Sequence, residues 1–104
     1  MSNINNKLIN ISNYIKSLYR DELYDYYYIG PDDRKLLNKG NIVKYTNIID
    51  KEYKLKFGII VNITINKLTL KSINSDLYWK IDFNKNHVFC LEKNKLKLLA
   101  NEYM

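Results

Sequence analysis

Apolar residues near the start of the chain recur at helical spacing. Ile4, Leu8, Ile11, Ile15 and Leu18 stand four, three, four and three residues apart, which lines them along one face of a helix. Tyr19 and Leu23 extend the stripe, while Asn5, Asn6, Asn13, Lys16, Ser17 and Arg20 fall largely elsewhere. Ser2 or Asn3 supplies a side-chain oxygen to cap the first turn. The helix is expected to fade across Tyr24–Tyr28 and to stop at Gly30-Pro31, because proline removes a donor and disfavours helical geometry before it.

From Asn38 the period shortens to two. Lys39-Gly40-Asn41 reads as a turn and Ile42-Val43-Lys44-Tyr45 as a first strand. Thr46 to Leu55 reads as a long, partly extended loop. Lys56–Ile63 is a second strand rich in β-branched residues, with Gly58 predicting a bulge or bend inside it. Asn66-Lys67 turns the chain into a third strand, Leu68–Ile73. After Asn74-Ser75-Asp76, the segment Leu77–Phe83 alternates cleanly and predicts a fourth, with Leu77, Trp79, Ile81 and Phe83 facing a core. Asn84-Lys85-Asn86 turns again, and His87–Leu91 is the fifth strand. Leu96, Leu99 and Tyr103 place a short closing helix at the end. Five short strands with turns every eight to ten residues predict a small closed or half-closed barrel, since an open sheet leaves long unpaired edges.

The segment Tyr53-Lys54-Leu55-Lys56-Phe57-Gly58-Ile59-Ile60-Val61, after a glycine turn, a short strand ending in tyrosine and a long loop, resembles the opening of SH3-like barrels of the KOW and Tudor type. The Leu-x-Leu strand at Leu68 and the later Tyr78-Trp79-x-Ile81 resemble their third and fourth strands. The likeness covers residues 38–92. It implies a mainly β fold with α: a five-stranded SH3-like β-barrel preceded by an N-terminal amphipathic helix, with a short C-terminal helix. Residues 1–37 are then a helical arm and connecting loop, and 38–104 the barrel with its tail, in one compact unit. The resemblance also implies a binding module for nucleic acid, modified peptides or protein partners. Small proteins of this pattern are frequent in large nucleocytoplasmic DNA viruses, which implies a virion-structural or accessory setting.

Composition changes this picture in one respect. Of 104 residues, 15 are Asn, 14 Ile, 15 Lys and 10 Tyr, all with A/T-rich codons, and Lys outnumbers Arg 15 to 2. A strongly A/T-rich genome supplies lysine without selection for charge, so the net charge of +6 is weaker evidence for an anionic partner than it would otherwise be. Its distribution is more informative: residues 1–33 carry a net −2 and residues 34–104 a net +8. The apolar runs are too short to cross a bilayer, and the N-terminus lacks the apolar core of a signal peptide. The single cysteine, Cys90, fits a reducing, intracellular compartment, and the resemblance to viral proteins implies that this is host cytoplasm, a viral factory or a virion interior.

Catalytic candidates are few. His87 and Cys90 are the only residues of their kinds, and a spacing of three on a strand sets them on opposite faces. An ordinary exposed histidine and a small buried cysteine are expected. One His and one Cys do not make a zinc site. Asp21, Glu22, Asp25, Asp32 and Asp33 lack calcium-loop spacing, and glycines 30, 40 and 58 form no phosphate loop. The expectation is therefore no enzyme, no metal, no cofactor and no small-molecule substrate.

Two binding surfaces remain. A basic, aromatic barrel face is expected from Lys44, Lys54, Lys56, Lys71 and Lys80, with Tyr53 and Tyr78 as stacking platforms for the bases of DNA or RNA. Its bland counterpart is a solvated lysine face with tyrosines packed on methylene stems. Tyr45, Tyr53 and Tyr78 could alternatively form an aromatic cage for a methylated lysine. Tyr24, Tyr26, Tyr27 and Tyr28, four tyrosines in five residues, are the second surface, suited to a protein partner or to self-association. Protein–protein interaction is the leading expectation and nucleic-acid binding the alternative, with no membrane partner.

Overall fold

The computed structural model describes residues 2–92, with side chains from residue 9 onward. The expected closing helix at Leu96, Leu99 and Tyr103 lies outside the described residues, as do the side chains of Ile4 and Leu8. Helix α1 spans Ser2–Leu18, and six strands follow: β1 (Tyr26–Ile29), β2 (Ile42–Asn47), β3 (Lys56–Ile63), β4 (Lys67–Lys71), β5 (Tyr78–Asp82) and β6 (Asn86–Leu91). Short 3-10 segments occupy Pro31–Leu36 and Phe83–Lys85. All strand pairs are antiparallel, in the order β1-β6-β2-β3-β4-β5.

Two expectations are corrected here. There are six strands rather than five, and the sheet does not close: β1 and β5 are its edges. The extra strand is the tyrosine segment. Tyr26–Ile29 does not prolong the helix but pairs with β6, Tyr26 opposite Leu91 and Ile29 opposite Val88. Aromatic and β-branched side chains favour the pleated surface, and β6 offers a free edge to pair with.

The helix stripe is shifted as well. Ile15 and Ser12 are buried and Ile11 and Tyr19 half-buried, whereas Leu18 is exposed. The row that docks is thus Ile11, Ile15 and Tyr19, spaced by four. The chain then turns through Tyr19 N–H to Ile15 O and Leu23 N–H to Tyr19 O, burying Leu23.

Alternation along the strands builds two cores. On the inner face lie Ile29, Val43, Tyr45, Ile60, Leu68, Leu70, Ile81, Val88 and Cys90, closed off by Leu37 and Phe83. On the outer face, Ile15 and Leu23 pack on Tyr26 and Phe89, with Ile42, Tyr53 and Leu55 around them. The helical segment covers only this part of the outer face. Phe57 and Tyr78, on β3 and β5, stay exposed there.

Further departures are local. β2 continues through Thr46 and Asn47 before the loop begins. Leu77, expected in the core, precedes β5 and is exposed, and Trp79 is only partly buried. Phe83 is buried as expected, though from a 3-10 turn. Gly58 is not the bulge; the register shifts between Ile60 and Asn62. Gly58 instead permits close packing, because a Cβ there would stand 3.0 Å from both Leu70 Cβ and Trp79 Cζ2. His87 is buried rather than exposed, opposite Thr46 on the helix side of the sheet.

Candidate functional site

Two concavities bring functional side chains together. The first is a groove of about 750 Å³ between the turn after α1 and the outer sheet face, lined by Tyr19, Glu22, Tyr26, Ile42, Lys44, Lys54, Leu55, Phe57 and Ile73. Its floor is apolar because Tyr26, Ile42 and Phe57 occupy outer-face positions on β1, β2 and β3. Lys44 and Phe57 are direct cross-strand partners.

Lys44 is held rather than free. Its ammonium donates to the Glu22 carbonyl at 2.7 Å and sits 4.6 Å from the centre of the Tyr26 ring. Burial pulls its pKa below the ordinary lysine value, with the Glu22 carboxylate opposing the shift. Lys54, at the rim, pairs with Glu52 at 3.6 Å; both side chains are largely in water, so the pair adds little stability.

The second concavity is a cleft of about 440 Å³ on the side where the sheet stays open. It is lined by Tyr45 and Asn47 of β2, Lys56, Lys67, the β5 residues Trp79, Lys80, Ile81 and Asp82, and Lys85 and Asn86. Four lysines therefore surround one carboxylate. Asp82 Oδ1 is engaged in accepting from the Asn84 N–H at 2.8 Å. Across the opening, the Trp79 indole N–H donates to the Tyr45 hydroxyl at 2.7 Å. Burial raises the Tyr45 pKa, against a smaller lowering by that hydrogen bond, so the phenol keeps its proton at neutral pH.

The expected basic face is thus divided. Lys44 and Lys54 belong to the groove, and Lys56 and Lys80 to the cleft. Lys71 lies 5.9 Å from the ring centre of the exposed Tyr78. Tyr53 is a packing residue: its φ is +51°, its carbonyl accepts from the Tyr19 hydroxyl at 2.7 Å, and its ring meets Tyr14 edge-on at 6.0 Å. The cage of Tyr45, Tyr53 and Tyr78 is not assembled, since Tyr45 and Tyr53 lie in the clusters on opposite sheet faces.

The tyrosine cluster is likewise mostly structural. Tyr24 alone is open, at 78% exposure. Tyr26 is buried, and burial raises its pKa. Tyr27 is pushed up to about 12, first by burial and then by a hydrogen bond with Cys90. Tyr28 packs 5.4 Å from the Phe89 ring and its hydroxyl lies 3.4 Å from His87 Nδ1; burial raises its pKa also.

Residues that sequence reasoning missed are Phe57 and Ile73 in the groove and Lys67 and Lys85 in the cleft. The last two read as turn residues, and only the pairing of β4 with β5 and the turn before β6 bring them beside Lys56 and Lys80. Among the described residues, no group of three or more His, Cys, Asp or Glu side chains could hold a metal ion. No helix among them is long and apolar enough to cross a membrane. No protein-family model, curated protein or solved structure matches this chain.

Proposed function

We propose that the chain is a non-enzymatic binding module that docks a protein partner in the groove. The observation that carries this reading is a pair of large apolar side chains, Phe57 at 50% and Ile73 at 49% exposure, beside the apolar floor of Tyr26, Ile42 and Leu55. A concave, mostly apolar surface with a few polar groups is the usual form of a binding site. Covering such side chains removes apolar area from water at about 25 cal/mol per Å².

The partner segment that fits carries an apolar side chain next to a carboxylate. The apolar group fills the space between Phe57 and Ile73, and the carboxylate meets Lys44 and Lys54. An ammonium has three donors; the Glu22 carbonyl takes one of Lys44's, which leaves capacity for a partner's oxygen. The non-enzymatic part of the reading rests on the sequence, whose one histidine and one cysteine alternate onto opposite faces of β6. The finer description of residues 38–92 as an SH3-like barrel, opened on one side, belongs to the same proposal. It is supported by the meander β2-β3-β4-β5 and the return of β6 to pair with β2.

Panning a displayed peptide library against the full chain tests the reading. Selected peptides should combine an apolar and an acidic residue, and should lose at least about tenfold in affinity with Phe57→Ala or Ile73→Asp, the loss expected of central anchor residues. Peptides whose affinity ignores both substitutions would place the partner site elsewhere.

A further inference from the structure

The cleft carries an inference of its own, independent of the groove. Lys56, Lys67, Lys80 and Lys85 border one cavity with a single carboxylate, Asp82. Among the described residues, the only ion pair is Lys54–Glu52, elsewhere. Asp82, the direct cross-strand partner of Lys67, offsets part of this charge, and the remaining excess of ammoniums over carboxylates at the cleft favours a ligand with several negative charges. The cleft also holds a neutral donor: the Tyr45 hydroxyl accepts from Trp79, and its own proton has no acceptor among the described residues. β5, which lines one side, has a hydrogen-bonded neighbour only in β4, so its free edge presents backbone groups there.

We propose that this cleft binds the sugar–phosphate backbone of single-stranded nucleic acid. The chemistry recognised is a run of phosphates: the lysines supply mobile positive charge, the Tyr45 hydroxyl donates to a phosphate oxygen, and the half-buried Trp79 offers an apolar wall to the sugar or base. The Trp79 ring in the lining suits an unpaired base, which a duplex keeps stacked inside, and this favours a single strand. A chain of inorganic polyphosphate shares the chemistry and is the source to be separated by experiment.

Trp79 is the only tryptophan in the chain, so its fluorescence reports occupancy of the cleft directly. Titration of the full chain with oligo(dT) of about 12 nucleotides, within the site sizes usual for single-strand binders, should shift Trp79 emission. Four phosphate contacts predict a fall in affinity of about fiftyfold between about 50 and 200 mM salt. Lys67→Gln/Lys85→Gln should reduce that to about sevenfold, since two contacts remain. Lys39→Gln/Lys51→Gln, which removes two exposed lysines outside the cleft, should keep the wild-type salt dependence. Thermal melting confirms that each variant is folded.

Absence of binding at the lowest salt overturns the proposal. So does an equal effect of the two double variants, which would make the attraction diffuse. Tighter binding of duplex than of single strand overturns the single-strand assignment. Displacement of oligo(dT) by polyphosphate at much lower phosphate concentration overturns nucleic acid as the source. The groove variants Phe57→Ala and Ile73→Asp lie outside the cleft, so failure of either reading leaves the other standing.

Discussion

His87 shows how a single residue's environment depends on what covers its face. Alternation along β6 correctly sets His87 and Cys90 on opposite faces, and Cys90 is buried among Val43, Val88 and Tyr27. Which outer-face positions are covered depends on where the helical segment lies, and no local pattern in His87–Leu91 encodes that. The imidazole is consequently buried, with the Tyr28 hydroxyl near Nδ1 and the Tyr53 ring 6.3 Å away. Arg34 lines the same small cavity beside it. Burial lowers the His87 pKa, so the unfolded chain binds a proton more readily than the folded one. Stability from this group is full above the ordinary value of about 6.5. It falls as pH drops below that value and levels off below the folded-state pKa. Melting temperatures between about pH 8 and 5 should show this decline, and His87→Leu should flatten it. Thr46, opposite His87, buries a hydroxyl with no hydrogen-bond partner among the described residues, which costs the fold part of the desolvation free energy of that oxygen.

At the scale of elements, legibility followed periodicity. Val43–Tyr45, Leu68–Leu70 and Trp79–Ile81 alternate between polar and apolar, and each lies within a strand. Tyr26–Ile29 has no polar residue to mark a period of two, and it follows directly on a helical stripe. Its strand character comes from pairing with β6, a segment 60 residues later in the chain. The helix was readable but its docking row was not, because Ile11, Ile15 and Leu18 fit the face as well as Ile11, Ile15 and Tyr19. Phe89, fully buried between β1 and the helical segment, tests this layer. Phe89→Ala should destabilise the fold by about 3–5 kcal/mol, whereas exposed Tyr24→Ala should stay within about 0.5 kcal/mol. Urea denaturation followed by far-UV circular dichroism measures both, and equal losses would contradict the packing described.

Across the whole molecule, the groove and the cleft share no lining residue. The groove uses the outer-face positions Tyr26, Ile42 and Phe57, and the cleft combines the inner-face positions Tyr45, Trp79 and Ile81 with Lys67, Lys80 and Asp82 at the β4-β5 edge. Occupation of one should leave the other accessible, so a groove peptide should bind with unchanged affinity when oligo(dT) saturates the cleft. A calorimetric titration in both orders checks this, and a tenfold mutual loss would mean that the two sites overlap. The sequence placed the positive charge after residue 33 but could not divide it between the surfaces. Lys44 and Lys56 are twelve residues apart on paired strands, yet they serve different concavities because they alternate onto different faces. Strand order, a tertiary property, decides the rest.

The open side of the sheet has a colloidal consequence. A rim of unpaired backbone groups is a template on which a second chain can add a strand, and repetition of that step builds a fibre. Lys80, at the middle of β5, places a charge on that rim, and Lys67 and Lys85 lie nearby. Each copy therefore approaches another with like charges foremost, and their repulsion keeps the rims apart at moderate ionic strength. At about 1 M salt, where charges are screened within about 3 Å, that protection is largely gone. The lysines grouped around the cleft should therefore slow edge-to-edge association, and added salt should speed it.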